Sequence, residues 1–146
     1  MARRRIDRDD VDKLHDCGLH IPTRTVYLGD IEREHVLEFM KNLRLLDSTS
    51  QDPITICINS AGGCVDLGLA VIDAIRACRS PVTGVVEANA ESMAIIILQA
   101  CDERVAYPNS LLMAHTGTDE LPEMPGREAR SRWNFEQKLN ARADSY

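Results

Sequence analysis

Hydrophobic positions along the chain follow two spacings. Between 31 and 47 they recur at Val36, Phe39, Met40, Leu43 and Leu46, one stripe of 3.6-residue period, which predicts an amphipathic helix. Arg24 to Leu28 (RTVYL) and Ile54 to Ile58 (ITICI) are short β-branched runs and predict strands, the second of them buried. Gly29 and Asp30 end the first strand, and Asp30 is the expected N-cap of the next helix. Residues 48–53 (STSQDP) read as a loop. After Asn59-Ser60-Ala61-Gly62-Gly63 a mostly apolar helix is expected from about Val65 to Cys78, broken by Arg79-Ser80-Pro81. Val82 to Glu87 reads as a strand and Ser92 to Cys101 as a short helix, apolar almost all round. Arg104 to Tyr107 and Leu111 to His115 read as two short strands separated by Pro108-Asn109. Residues 7–17 suit a short helix ended by Gly18. Residues 116–126, with Gly117, Pro122, Pro125 and Gly126, read as a loop, and 127–146 as helix-prone.

The order strand, helix, strand, helix, strand, helix, then two strands predicts an α/β fold around a mostly parallel sheet with right-handed crossovers. No internal repeat is visible. A chain of 146 residues is one domain by length. We divide it into an N-terminal segment 1–23, a core 24–117, and a loop with the start of a helix over 118–146. The last residues, Ala-Asp-Ser-Tyr, carry no helix-stop signal, so the domain is expected to be incomplete at its C-terminus.

Composition narrows the function class. Hydrophobic content of 44% and charged content of 27% are those of an ordinary globular protein. The net charge of −6 argues against a nucleic-acid partner, because the counterion-release term that drives phosphate binding is missing. Arg3, Arg4, Arg5 and Arg8 make a short basic stretch, but Asp7, Asp9 and Asp10 interrupt it. No apolar run comes after the charged N-terminus as a secretory signal would require, and the longest such run, Met93 to Leu98, is too short to span a bilayer. A cytoplasmic protein without a membrane partner is expected. The five cysteines are odd in number and form no CxxC pair, so reduced core thiols are expected. The histidines show no metal-ligand spacing and there is no phosphate-binding GxxxxGK[ST], so neither metal nor cofactor is expected.

Three stretches could carry chemistry. Gly62-Gly63 lies between a buried strand and a helix. It reads either as a plain tight turn or as backbone that approaches a ligand beyond the carboxyl end of a strand. Ala90-Glu91-Ser92-Met93-Ala94 puts a serine between strand and helix with small residues two positions away on either side. That is an N-cap serine or a relaxed strand-turn-helix elbow, whose helix N-terminus offers free N–H groups to a developing oxyanion. His115 ends an apolar strand beside Thr116-Gly117. It is a satisfied core-edge histidine, or a general base if its Nε2 reaches the Ser92 hydroxyl. Together the three supply the parts of an acyl-transfer site.

These motifs resemble one family. VYLGDIE, ITICINSAGG, AESMA and YPNSLLMAH, in this order between Arg24 and Gly117, are similar to the proteolytic subunit of the Clp protease. The resemblance implies a crotonase-like fold of repeated β-α units ending in a handle helix, of which 127–146 would be the start. It implies Ser92 as nucleophile, His115 as general base, and the N–H groups of Gly63 and Met93 as oxyanion hole. Cys64, Val65 and Thr116 would flank an extended substrate strand. It also implies a serine endopeptidase that cuts unfolded polypeptide, forms homo-oligomeric rings, and is fed by an AAA+ unfoldase.

The sequence departs from the family pattern at four places. Ala61 replaces the proline of INSPGG, and Glu91 stands where a small residue usually precedes the nucleophile. The stretch from Ser92 to His115 is about two residues shorter than usual, a feature similar to phage head-maturation relatives. The family's triad aspartate falls beyond Tyr146, and no residue here matches its motif. The alternative acids Asp119, Glu120 and Glu123 sit in the loop after His115. Two other readings stand beside the peptidase: a peptidase-like assembly module without activity, and an acyl-CoA-processing crotonase whose glycine turn holds a thioester oxyanion. In the last, Ser92 and His115 would be coincidental.

Overall fold

The computed structural model describes residues 18–115, together with Lys138 and Ala141, which are helical. The helix expected over 7–17, the loop over 116–126 and all but those two residues of 127–146 lie outside the described residues. The elements are β1 (Leu19–His20), a 3-10 turn (Ile21–Thr23), β2 (Thr25–Leu28), α1 (Arg33–Thr49), β3 (Ile54–Ser60), α2 (Val65–Arg76), β4 (Val82–Glu91), α3 (Met93–Leu98), β5 (Glu103–Ala106) and β6 (Leu111–Met113).

The sheet runs β1-β2-β3-β4-β5, with β1 antiparallel to β2 and the other pairs parallel. Each of β2, β3 and β4 is followed by a helix and then by its neighbour in the sheet. Right-handed crossovers that all step in one direction put the helices on one face. The burial of β3 agrees: Ile54, Ile56, Ile58 and Ser60 are buried, while Thr55 and Cys57 between them are half-buried and Asn59 is exposed. The strand alternates because, among the described residues, the helices cover one of its faces. Val36, Phe39, Leu43 and Leu46 of α1 and Leu69, Val71, Ile72 and Ile75 of α2 share one buried cluster with β3 and β4. Burying side chains of this size stabilises by roughly 1.5–3 kcal/mol each before entropy is subtracted.

Strand β4 organises the functional end. Its Thr83–Val86 stretch pairs with β5, and Asn89–Glu91 pairs with β6 on the same edge. Pro108 interrupts this edge, and the gap is closed by bonds to one carbonyl. The Tyr107 N–H and the Ser110 hydroxyl both donate to the Val86 oxygen, at 3.1 and 2.7 Å. Against β3 the register jumps from Ile58↔Val86 to Ser60↔Ala90, so β4 carries extra residues that bulge outward.

The sequence placed the end of β4 at Glu87, but it reaches Glu91. Ala88, Asn89 and Ala90 are poor strand formers on their own, and β6, paired with Asn89–Glu91, holds this end extended. Helix α1 starts at Arg33 with Glu32 as its N-cap, not Asp30, and runs on to Thr49. Helix α2 stops at Arg76, and α3 spans only Met93–Leu98. The short β1 has no counterpart in the sequence reading. It forms because Gly18, at φ 68°, turns the chain so that the Tyr27 N–H donates to its carbonyl.

Candidate active site

The parallel strands β2, β3 and β4 end on one side of the sheet, at Leu28, Ser60 and Glu91, and the three sequence motifs meet there. Ser92 joins β4 to α3 with φ 52° and ψ −120°. Apart from Arg24 it is the only non-glycine residue with positive φ among the described residues. A conformation of this kind costs about 1–3 kcal/mol and persists only where its surroundings enforce it. Here the Ser92 N–H donates to the Met113 carbonyl at 2.8 Å. Ala90 and Ala94 are buried on either side, where larger side chains would collide.

Gly62 leans on the same elbow. At φ 96°, a Cβ placed there would lie 2.7 Å from the Ser92 Cβ and 2.8 Å from the Glu91 carbonyl. Only glycine lets the two turns come this close. The tether from Ser92 to β6 also fixes the residues just after that strand. His115 lies two residues beyond Met113, and its Nε2 is 2.8 Å from the Ser92 Oγ. With Nδ1 protonated, the hydroxyl donates to Nε2, the geometry a base requires. Ser92 is half-buried and His115 exposed, so the pair is open to a substrate.

Gly63 forms a parallel bridge with Ile31. The Ile31 N–H donates to the Gly62 oxygen at 2.8 Å, and the Cys64 N–H donates to the Ile31 oxygen at 3.0 Å. In such a bridge the bracketed residue turns its own N–H and C=O away from the partner strand. The Gly63 N–H therefore points away from Ile31. Met93 is the first residue of α3, so its N–H has no intrahelical acceptor. The Met93 side chain is buried against Gly68 of α2, where a Cβ would come within 2.3 Å of it.

Of the residues expected to flank a substrate, Cys64 is exposed with its thiol donating to the Asp66 carboxylate, and Val65 opens α2 half-buried. Burial, then the bond to Asp66, raises the Cys64 thiol above the ordinary range. Thr116 lies outside the described residues. Glu91 is half-buried, and its carboxylate accepts a 2.8 Å bond from the Asn89 amide, turned back along β4. Cys57, Cys64, Cys78 and Cys101 are free thiols, and burial pushes Cys101 up to about 12. Among the described residues no three His, Cys, Asp or Glu side chains cluster as metal ligands would. Nor is any helix among them long and apolar enough to cross a membrane. An open groove of about 360 Å³ lies between α1 and α2, lined by Met40, Arg44, Ala74 and Cys78 among others. None of its residues belongs to the elbow.

The sequence reading gave Asp30 the wrong role. Its carboxylate does not cap α1; Oδ1 accepts the Ala61 N–H at 2.8 Å. The available signal was Ala61 itself, which has an N–H where the family pattern has proline.

Comparisons with known proteins bear on the family and the fold. A family model described as Clp protease matches residues 17–124. The chain is 37% identical over 95 residues to the ATP-dependent Clp protease proteolytic subunit of Carsonella ruddii, covering 63% of this chain and 49% of that protein. It is 35% identical over 99 residues to the subunit of the same name from Deinococcus radiodurans, covering 65% and 48%. Among solved structures, a ClpP1 point mutant from Listeria monocytogenes matches with a TM-score of 0.65 and 35% identity, over 84% of this chain and 73% of that one. The chain thus spans about half the length of the curated relatives it matches, and its α/β sheet is the crotonase-like fold. With the family model matched over most of its length, the chain belongs to the Clp protease family.

Proposed function

We propose that the chain is the core of a serine endopeptidase subunit that hydrolyses peptide bonds of unfolded polypeptides through an acyl-enzyme. The observation that carries this reading is the 2.8 Å approach of His115 Nε2 to the hydroxyl of a serine held at positive φ. Ser92 Oγ attacks the scissile carbonyl carbon, and its proton passes to Nε2. The tetrahedral oxyanion is held by the N–H groups of Gly63 and Met93. The C–N bond then breaks, and the amine leaves with the proton from His115. A water molecule, deprotonated by His115, attacks the ester carbon and releases the acid, returning the proton to Ser92 Oγ. Cys64, Val65 and Thr116 flank the extended substrate. No acid among the described residues is assigned to His115 as its third partner.

The relatives' names, ATP-dependent Clp protease proteolytic subunit, support the wider reading. In it the subunits form a homo-oligomeric ring in the cytoplasm, an AAA+ unfoldase supplies the polypeptide, and 24–117 is the core of one peptidase domain. A crotonase acting on acyl-CoA would leave the Ser92–His115 bond without a purpose. In the full-length protein, Ser92→Ala is expected to abolish peptide cleavage while leaving the melting temperature nearly unchanged. Full activity in Ser92→Ala would overturn the proposal.

A further inference from the structure

We propose that Asp30 is a positioning residue that holds the Ala61-Gly62-Gly63 turn in register with Ser92. The inference rests on the peptidase reading above and concerns a residue outside the reacting groups. The turn has three backbone N–H groups in a row. Two are engaged: the Ala61 N–H donates to Asp30 Oδ1 at 2.8 Å, and the Gly62 N–H donates to Ser60 Oγ at 3.1 Å. The third, on Gly63, is turned away from Ile31 by the bonds on either side of it. Gly62 and Gly63, at φ 96° and 139°, have no side chain to fix the peptide planes between them. Those hydrogen bonds orient the planes, and the bond to Asp30 is the one that involves a charge. A carboxylate accepting an amide proton is roughly twice as strong a bond as a neutral pair.

The placement of Asp30 makes it effective. It sits next to Ile31, whose N–H and C=O bracket Gly63. One short stretch of chain therefore grips the turn at Ala61, Gly62 and Cys64. A proline at 61 would lack the N–H and fix φ by its ring. Ala61 leaves φ free and offers a donor, and Asp30 restores by hydrogen bonding the constraint that a ring would impose. A shift of the turn moves the Gly63 N–H relative to Ser92, and small displacements of a positioned donor weaken transition-state stabilisation steeply.

The test uses the full-length protein with Asp30→Ala, Asp30→Asn and Ala61→Pro. Two quantities are measured: amide hydrogen exchange over 59–64, which needs no catalysis, and the rate at which a fluorophosphonate modifies Ser92. Asp30→Ala is expected to speed exchange at Ala61 and to slow Ser92 modification about tenfold, with the melting temperature shifted by only a few degrees. The loss should fall on the rate at saturating probe and not on probe affinity. Asp30→Asn keeps an acceptor oxygen without the charge and should fall between the unaltered protein and Asp30→Ala. In an Ala61→Pro background, which has no donor, Asp30→Ala should have no further effect. The proposal is overturned if Asp30→Ala leaves exchange unchanged, or if exchange rises while Ser92 reacts at its normal rate. An equal loss in Asp30→Asn overturns it too. If Ser92 in the unaltered protein does not react at all, the peptidase reading fails. The exchange measurement then still reports whether Asp30 grips the turn.

Discussion

At Ser92 the backbone carries strain that nothing in the side chain requires. The φ of 52° is enforced from three directions: by the bond to the Met113 carbonyl, by the close seat of Gly62, and by the start of α3. Gly62→Ala adds a methyl group at positive φ, against backbone and against the Ser92 Cβ. We expect it to destabilise by about 1–3 kcal/mol and to abolish Ser92 reactivity, read by thermal denaturation and probe labelling. On the proposed mechanism, His115→Ala removes the general base and should slow peptide cleavage about 10²–10⁴-fold, measured as kcat/KM. Glu91→Ala should change kcat/KM by less than about tenfold, about 1.4 kcal/mol, because the carboxylate is bound back along β4 to Asn89. A hundredfold gain would mean that Glu91 opposes the oxyanion; a hundredfold loss would mean that it supports His115. Ser92 and His115 stood out as candidates in the sequence because each lies at an element boundary beside small residues. Their hydrogen bond was not legible, since it depends on β6 lying beside β4 and not elsewhere in the sheet.

At the scale of elements, helix ends and loops are joined by carboxylates. Asp47 near the C-terminal end of α1 accepts the N–H groups of Arg79 and Ser80 at 3.0 and 2.8 Å, tying α1 to the connection between α2 and β4. The Ser80 N–H, foremost, holds the Asp47 carboxyl below its ordinary range. The folded state therefore favours the charged form. The stability this gives is present above the ordinary carboxylate pKa and is lost as pH falls through the lowered folded value. Asp47→Ala should destabilise by about 1–2 kcal/mol at neutral pH, and its denaturation midpoint should fall less steeply on acidification below pH ~4 than that of the unaltered protein. The helix stripes and the short strands were readable because their spacing reflects burial directly. The extension of β4 and the absence of a cap at Asp30 were not. Both are decided by partners distant in sequence, β6 for the first and Ala61 for the second. Gly68 is a further case: its missing Cβ makes room for Met93, a partner distant in sequence.

For the whole molecule, the alternation of elements was enough to give a mostly parallel sheet, and the motif order was enough to give the family. That the described helices cover one face of the sheet was not legible. An ITICI strand is as apolar as one buried on both faces, yet Cys57 is only half-buried and its neighbour Tyr27 is 40% exposed. Val105, Tyr107, Leu111 and Leu112 on the β5–β6 side are also exposed. The proposed ring assembly is expected to appear in sedimentation velocity as a species several times the mass of one subunit, and a monomer at micromolar concentration would contradict it. Whether Ser92 is an activated nucleophile, on which the peptidase reading depends, is tested by covalent labelling. The full-length protein is treated with a fluorophosphonate probe and the adduct is located by peptide mass spectrometry. One phosphonyl group is expected, on Ser92, with its loss in Ser92→Ala and strong reduction in His115→Ala. Labelling that survives Ser92→Ala, or a folded protein that takes up no probe at Ser92, would contradict the assignment.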